Sequence, residues 1–180
     1  MARVIEGDED AFVALIDMYR DRAVNIAYRY IGERASAEDI AQEAFVRIYE
    51  TRERFDPSQD FSPWFYRILT NLCLDHLRRE DRRGGHLRLV SDDEGPQQLP
   101  ASETASPAEH VERQELSARV QSALKSLSDR QRMALVLQHY EALSYDEIAE
   151  AMGCSRGTVD GLLSRARATL RDRLSELLEK

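Results

Sequence analysis

Residues 84–107, GGHLRLVSDDEGPQQLPASETASP, constrain this chain more than any other stretch. They hold three glycines, three prolines and an acidic cluster, and show no helical periodicity. Such a segment buries too little apolar surface to offset the entropy of ordering it, so it reads as a flexible acidic linker. It divides the 180-residue chain into residues 1–83 and 108–180. Neither part is long enough for a large layered core, so two small domains are expected. At full extension the 24 residues reach about 80 Å. Their relaxed span is nearer 27 Å.

Both parts have helical spacing. Phe12, Leu15, Ile16, Tyr19, Ala23, Ile26 and Tyr30 recur at three and four residues, giving one apolar face, and Gly32 supplies a stop. SAED at Ser36 offers an N-cap for a second helix carrying Ile40, Ala41, Ala44, Phe45, Ile48 and Tyr49. RFDPSQDF breaks the pattern as a loop around Pro57. Ser62-Pro63 reads as a cap followed by proline at the first helical position. Trp64, Phe65, Ile68, Leu69, Leu72, Cys73 and Leu77 form the inward face of the third helix. The fold class is therefore all-α, two small helical domains joined by a flexible linker.

The second domain begins near Ala108, with a helix through Val111, Leu116, Val120 and Leu124. Ser128 with Gln131, and Ser144 with Glu147, have capping-box spacing. SYDEIAEAMGCSRGTVDGLLSRAR then reads as a helix-turn-helix. Counted from Tyr145, the fifth place is Ala149, where the helices must cross closely. The ninth is Gly153, a turn residue that tolerates positive φ. The fifteenth and eighteenth, Val159 and Leu162, seat the second helix on the first. Ser155 caps that second helix, whose N-terminal N–H groups then suit a phosphate. Arg156, Asp160, Gly161, Ser164 and Arg165 stay on or near its outer face for base edges, while Arg167 and Arg171 suit the DNA backbone.

The net charge of −8 hides two basic segments: residues 61–90 carry +3 and residues 155–180 carry +2. Attraction to phosphate follows the local field rather than the total. No run approaches a membrane span, and MARVIEGDEDAF lacks the apolar core of a secretory signal, so a cytoplasmic location without membrane insertion is expected. Cys73 and Cys154 lie in amphipathic stretches and read as small buried thiols. His76, His86, His110 and His139 make no triad or ligand set, and no glycine-rich phosphate loop or paired-carboxylate motif occurs. No enzyme, metal or cofactor is expected.

The first half, SAEDIAQEAFVRIYETRERFD followed by SPWFYRILTNLCLDHLRRE, resembles the core of the sigma subunits of bacterial RNA polymerase. With LSDRQRMALVLQHYEALSYDEIAEAMGCSRGTVDGLLSRARATLR behind the linker, the chain resembles an extracytoplasmic-function sigma factor, the minimal sigma with only the second and fourth domains. The resemblance implies that Asp39, Gln42 and Glu43 grip the clamp helices of the polymerase's largest subunit, and that the flap of the second-largest subunit is also a partner. It implies that Asn71 reads the promoter −10 element, beside Arg67, Asp75, Arg78, Arg79, Arg82 and Arg83. It makes the loop Asp56–Phe61 a pocket for a flipped base, with Phe61 a stacking face. Trp64 matches a family tryptophan and is read here as a core anchor. Ser155, Arg156, Thr158, Asp160, Gly161, Ser164, Arg165 and Arg167 fall on the −35 element. An anti-sigma factor is a further implied partner. For Asp92, Asp93 and Glu94 two readings stand, an imitation of RNA phosphates or a plain acidic tether.

Relatives commonly carry Gly-Thr-Val-Lys/Arg-Ser-Arg-Leu where this chain has GTVDGLL. Asp160 thus replaces a base-reading cation. An acid over phosphate is repelled, but one within the groove can accept from cytosine N4. Either Asp160 shifts −35 preference toward cytosine, or it is a surface acid on a weakly binding domain. The rival function is a free-standing helix-turn-helix regulator, which would bind duplex DNA tightly without polymerase.

Overall fold

The computed structural model describes residues 1–82, 120 and 122–178, and among them it is all helix and turn. The linker 84–107, the boundary at 108, Val111, Leu116, Arg83, His86, His110 and the acids Asp92, Asp93 and Glu94 lie outside the described residues.

Among the described residues the bounded α-helices are, in order, α1 Ala2–Ile5, α2 Glu9–Ile31, α3 Arg34–Glu50, α4 Phe61–Arg82, α5 Asp129–Tyr140, α6 Tyr145–Ala151 and α7 Arg156–Leu178. A 3₁₀ turn, Arg52–Arg54, follows α3, and residues 122–125 are helical ahead of α5.

Each boundary has a local cause. The Asp8 side chain accepts from Ala11 N and starts α2; Gly32, at φ 84°, ends it. The second expected start is corrected. With the chain released from α2 at Gly32, α3 begins at Arg34 behind Glu33, and Ser36 lies inside the first turn, its hydroxyl donating to Glu33 Oε2 at 2.6 Å. The third is also corrected. The first residue of α4 is Phe61, and Ser62 Oγ bonds Tyr19 Oη at 2.8 Å instead of capping its own helix. Pro63 still lies in the first turn, where a missing N–H leaves nothing unpaired. Both capping boxes, Ser128–Gln131 and Ser144–Glu147, are formed.

α2, α3 and α4 pack around Tyr19, Ala23, Ile26, Ala44, Phe45, Ile48, Phe65 and Leu69. The aromatic end of this core joins Tyr19, Phe55, Phe61, Trp64 and Phe65. Trp64 rests on Phe55 at 5.1 Å between centroids, as an anchor should. α5, α6 and α7 pack around Met133, Leu137, Ile148, Val159 and Leu163.

These two packings are not separate. One continuous apolar cluster runs from Tyr19 to Leu163, because α2 meets α5 and α4 meets α6. α4 therefore has a second buried face that its sequence pattern did not reveal: Tyr66, Thr70 and Leu74, four residues apart. Cys73 is fully buried, and burial pushes its thiol up to about 12; Cys154 is half-buried, and both are free.

Candidate functional site

Three exposed surfaces carry the sequence-identified residues. The first lies on α3. Asp39, Gln42 and Glu43 face solvent, because Ile40, Ala41, Ala44 and Phe45 occupy the inward positions of the same turns. Glu43 is paired along its own helix with Arg47 at 3.1 Å. Gln42 also borders something sequence reasoning missed, an apolar groove of about 540 Å³ between α2 and α3. Phe12, Ile16, Phe45, Val46 and Tyr49 line it, with Arg20, Glu38 and Glu50 at its rim. The exposed Val46 was the available signal: an apolar residue outside the stripe that the core uses.

The second surface is α4 with the loop before it. Arg67, Asn71, Arg78, Arg79 and Arg82 are exposed, and Asp75 is half-buried. The cations are held locally: Arg78 Nη1 meets Asp75 Oδ1 at 3.3 Å, and Arg82 Nε donates to the Arg78 carbonyl at 3.0 Å. Asp56 shapes its own loop. Its carboxylate accepts from Ser58 N at 3.0 Å, Ser58 Oγ at 2.8 Å and Gln59 Nε2 at 3.5 Å. Those bonds, the backbone one foremost, hold its pKa below the usual value. Phe61 is half-buried, its ring edge-on to Tyr19 at 5.0 Å, so only part of it is open for stacking.

The third surface is the helix-turn-helix. Ala149, Val159 and Leu162 are buried, and Gly153 turns at φ 58°, as their places in the motif require. Thr158 N donates to Ser155 Oγ at 3.2 Å, so Ser155 does cap α7. Ser155, Arg156, Thr158, Asp160, Ser164 and Arg165 are exposed, and Gly161 is half-buried. A Cβ at Gly161 would meet the Arg165 guanidinium at 3.6 Å, an ordinary contact, so nothing among the described residues demands glycine there.

Two cations of this surface are engaged in ways the sequence did not reveal. Arg156 Nη1 donates to Asp146 Oδ2 on α6 at 2.7 Å. Arg167 is engaged across helices as well. Although exposed, its guanidinium donates to Gln138 Oε1 on α5 at 2.8 Å and to Tyr145 Oη at 3.3 Å. It ties three helices together. Helical spacing alone cannot reveal this, since both partners lie more than 20 residues away.

An exposed arginine stripe on one helix and a helix-turn-helix with its reading face open define the class, a helical DNA-binding protein. Comparison with known proteins defines it further. Residues 15–83 match Sigma-70 region 2, and residues 117–170 match Sigma-70 region 4. The chain is 36% identical to the ECF RNA polymerase sigma factor SigW of Bacillus subtilis, over 97% of this chain and 95% of that protein. It is 30% identical to the ECF RNA polymerase sigma-E factor of Escherichia coli K12, over 99% and 94%. Among solved structures, CnrH in complex with the cytosolic domain of CnrY is similar at a TM-score of 0.68 and 27% identity, over 99% of this chain and 94% of that one. RpoE of Bartonella quintana, in complex with the anti-sigma factor NepR, shares the fold at a TM-score of 0.66 and 22% identity, over 92% and 97%. The chain belongs to the extracytoplasmic-function sigma factors, and its function is to direct RNA polymerase in promoter-specific transcription initiation.

Proposed function

We propose that residues 1–83 bind core polymerase and the −10 element, that residues 108–180 bind the −35 element, and that residues 84–107 span the gap. Asp39, Gln42 and Glu43 meet the clamp helices of the largest subunit, and the second domain meets the flap of the second-largest. The groove beside Gln42 adds an apolar surface to the first contact. Promoter elements over one and a half turns apart lie roughly 55 Å from each other, within the linker's extended reach. The work is cytoplasmic, and the chain contributes positioning without a catalytic group of its own.

On α4, Asn71 reads the −10 strand while Arg67, Arg78, Arg79 and Arg82 hold phosphates. Asp56 acts as the shaper of the base pocket, because its oxygens are already bonded within the loop. On α7, the open N-terminus behind Ser155 holds a phosphate, and Asp160 reads a base. Arg167 fixes the reading angle of α7. An anti-sigma protein controls the chain by covering its polymerase-facing surface.

The observation that carries this reading is the open outer face of α7, with Asp160 exposed between the buried Val159 and Leu162. Transcription reconstituted with core polymerase on a genomic library tests it. A defined set of start sites is the expected result; initiation at no site despite polymerase binding would overturn it. Selection from random −35 sequences with wild type and Asp160→Lys tests the Asp160 role. Different preferred sequences are expected, and identical ones would end that assignment.

A further inference from the structure

We infer that the N-terminal hook, residues 1–8, is a positioning element for −10 recognition: Val4 on α1 braces the 3₁₀ turn Arg52–Arg54 and thereby fixes where the loop Asp56–Phe61 sits. The consequence for DNA rests on the base-pocket reading of that loop proposed above; the brace itself does not.

The hook has no reason to fold alone. α1 is four residues long, and a single helical turn is unfavourable in isolation. It is held by its neighbours, packing on α2 and on the 3₁₀ turn. Val4 is the side chain it buries, at 1% exposure, while Ala2 and Arg3 face solvent. The joint to α2 is stiff. Gly7 turns at φ 89°, and its N donates to the Val4 carbonyl at 3.1 Å. One carboxylate then serves both helices: Asp8 accepts from Arg3 Nε at 2.8 Å and from Ala11 N at 2.9 Å. α1 is therefore a rigid extension of α2.

The loop has two anchors of unequal strength. Its far end is Phe61, carried by the 22-residue α4 and packed edge-on to Tyr19 of α2. Its near end is Phe55, buried, with its ring 5.1 Å from Trp64. Phe55 follows only the three-residue 3₁₀ turn, closed by Arg54 N to the Thr51 carbonyl at 2.9 Å and Phe55 N to the Arg52 carbonyl at 3.2 Å. Such a turn has poorer hydrogen-bond geometry than an α-helix and gains from outside support. Arg52 ties it back to α3, donating to the Tyr49 carbonyl at 2.6 Å and lying 4.1 Å over the Tyr49 ring. α1 adds the support from beyond α3.

The bonds inside the loop do a different job. Asp56 holds Ser58 and Gln59, which fixes the shape of the loop but not its place. Its place is set at Phe55, through the turn, by α1. A pocket for an extruded base needs its walls held to within about 0.5 Å. Val4 thus acts on DNA through the turn, without touching it.

Two variants loosen the hook and leave the loop residues alone. Val4→Ala removes buried methyl groups. Gly7→Ala strains the joint at its positive φ, yet its added Cβ meets no atom within 4 Å, so packing is kept. Melting followed by circular dichroism checks that each variant folds. Backbone order parameters of the full chain, from NMR relaxation, read the brace. Those of Ser58 and Gln59 should fall from about 0.85 toward about 0.6 in both variants, while those of Leu69 and Leu163 hold. Unchanged values at Ser58 and Gln59, or a fall shared by all four residues, would overturn the brace. Holoenzyme assembled with core polymerase then reads the consequence, with an abasic nucleotide scanned through the −10 strand of a fork-junction duplex. Wild type should show one position where losing the base weakens binding most. That penalty should shrink roughly three- to tenfold in both variants, with the penalties elsewhere and the affinity for core polymerase unchanged. A penalty that keeps its wild-type size would overturn the positioning role. A wild type with no such position, alongside loosened Ser58 and Gln59, would instead count against the base-pocket reading and leave the brace standing.

Discussion

The two arginine-bearing helices, α4 and α7, hold their cations differently. On α4 the bonds are local: Arg78 leans on Asp75 three residues back, and Arg82 on the Arg78 carbonyl. On α7 they cross between helices: Arg156 reaches Asp146 on α6, and Arg167 reaches Gln138 on α5 and Tyr145 on α6. A local pair at an exposed site contributes little and swings away at little cost. A cross-helix bond also links separate elements; the Arg156–Asp146 pair is as exposed as Arg78–Asp75, whereas Arg167 is held by two further helices at once. Of the two basic segments, the first therefore holds its paired cations locally. The second is a braced frame that presents Ser155, Asp160 and Ser164 at a fixed angle.

The comparison breaks hardest at the core. Leu69→Ala in α4 and Leu163→Ala in α7 each remove a fully buried side chain and should cost about 2–5 kcal/mol. Because one cluster joins both halves, each substitution should lower a single thermal transition seen by calorimetry; two transitions moving independently would contradict the common core.

The arginines come next. Arg167→Ala should lower stability by about 1 kcal/mol through lost cross-helix bonds. Arg78→Ala should leave stability within roughly 0.5 kcal/mol but reduce the salt slope of promoter binding by about 1. Denaturant melts and a salt titration of the polymerase complex separate the two behaviours. An Arg167→Ala protein of unchanged stability would end the distinction.

A smaller effect is expected at Asp146. Asp146→Asn frees Arg156 from its ion pair and should tighten binding to −35 duplexes a few-fold without changing the preferred sequence, since a phosphate contact carries no sequence information. Competition binding with matched and scrambled duplexes measures both quantities.

The smallest concerns Asp56. Its pKa is lowered by the bonds it accepts in the loop. A depressed carboxylate pKa contributes stability above the unfolded value of 3.8, and that contribution is lost as pH falls through the lower folded value. The Ser58 amide resonance should therefore hold its position down to mildly acidic pH and move only below 3.8. A shift centred at or above 3.8 would contradict the bonded loop.

Much of the molecule was legible from local pattern. The helices, the stop at Gly32, both capping boxes and the places of Ala149, Gly153, Val159 and Leu162 follow from spacing and backbone preference, which act within a few residues. So does the outward exposure of Asp39, Gln42 and Glu43, fixed once Ile40, Ala41 and Ala44 turn inward. The cap at Ser36 was misplaced by three residues, because the tightness of the turn after α2, rather than the capping preference, decided where α3 begins.

What sequence alone determined is the inventory of helices and which residue types each presents. Which surfaces meet was decided only by the tertiary structure. Tyr66 and Thr70 look like outward residues of an amphipathic helix until α6 covers them, and Arg132 looks like a surface cation until Tyr30 and the first half close over it. Periodicity records how one helix divides its own faces. Whether a polar face is later covered depends on elements brought together from far along the chain, and no local pattern encodes that meeting.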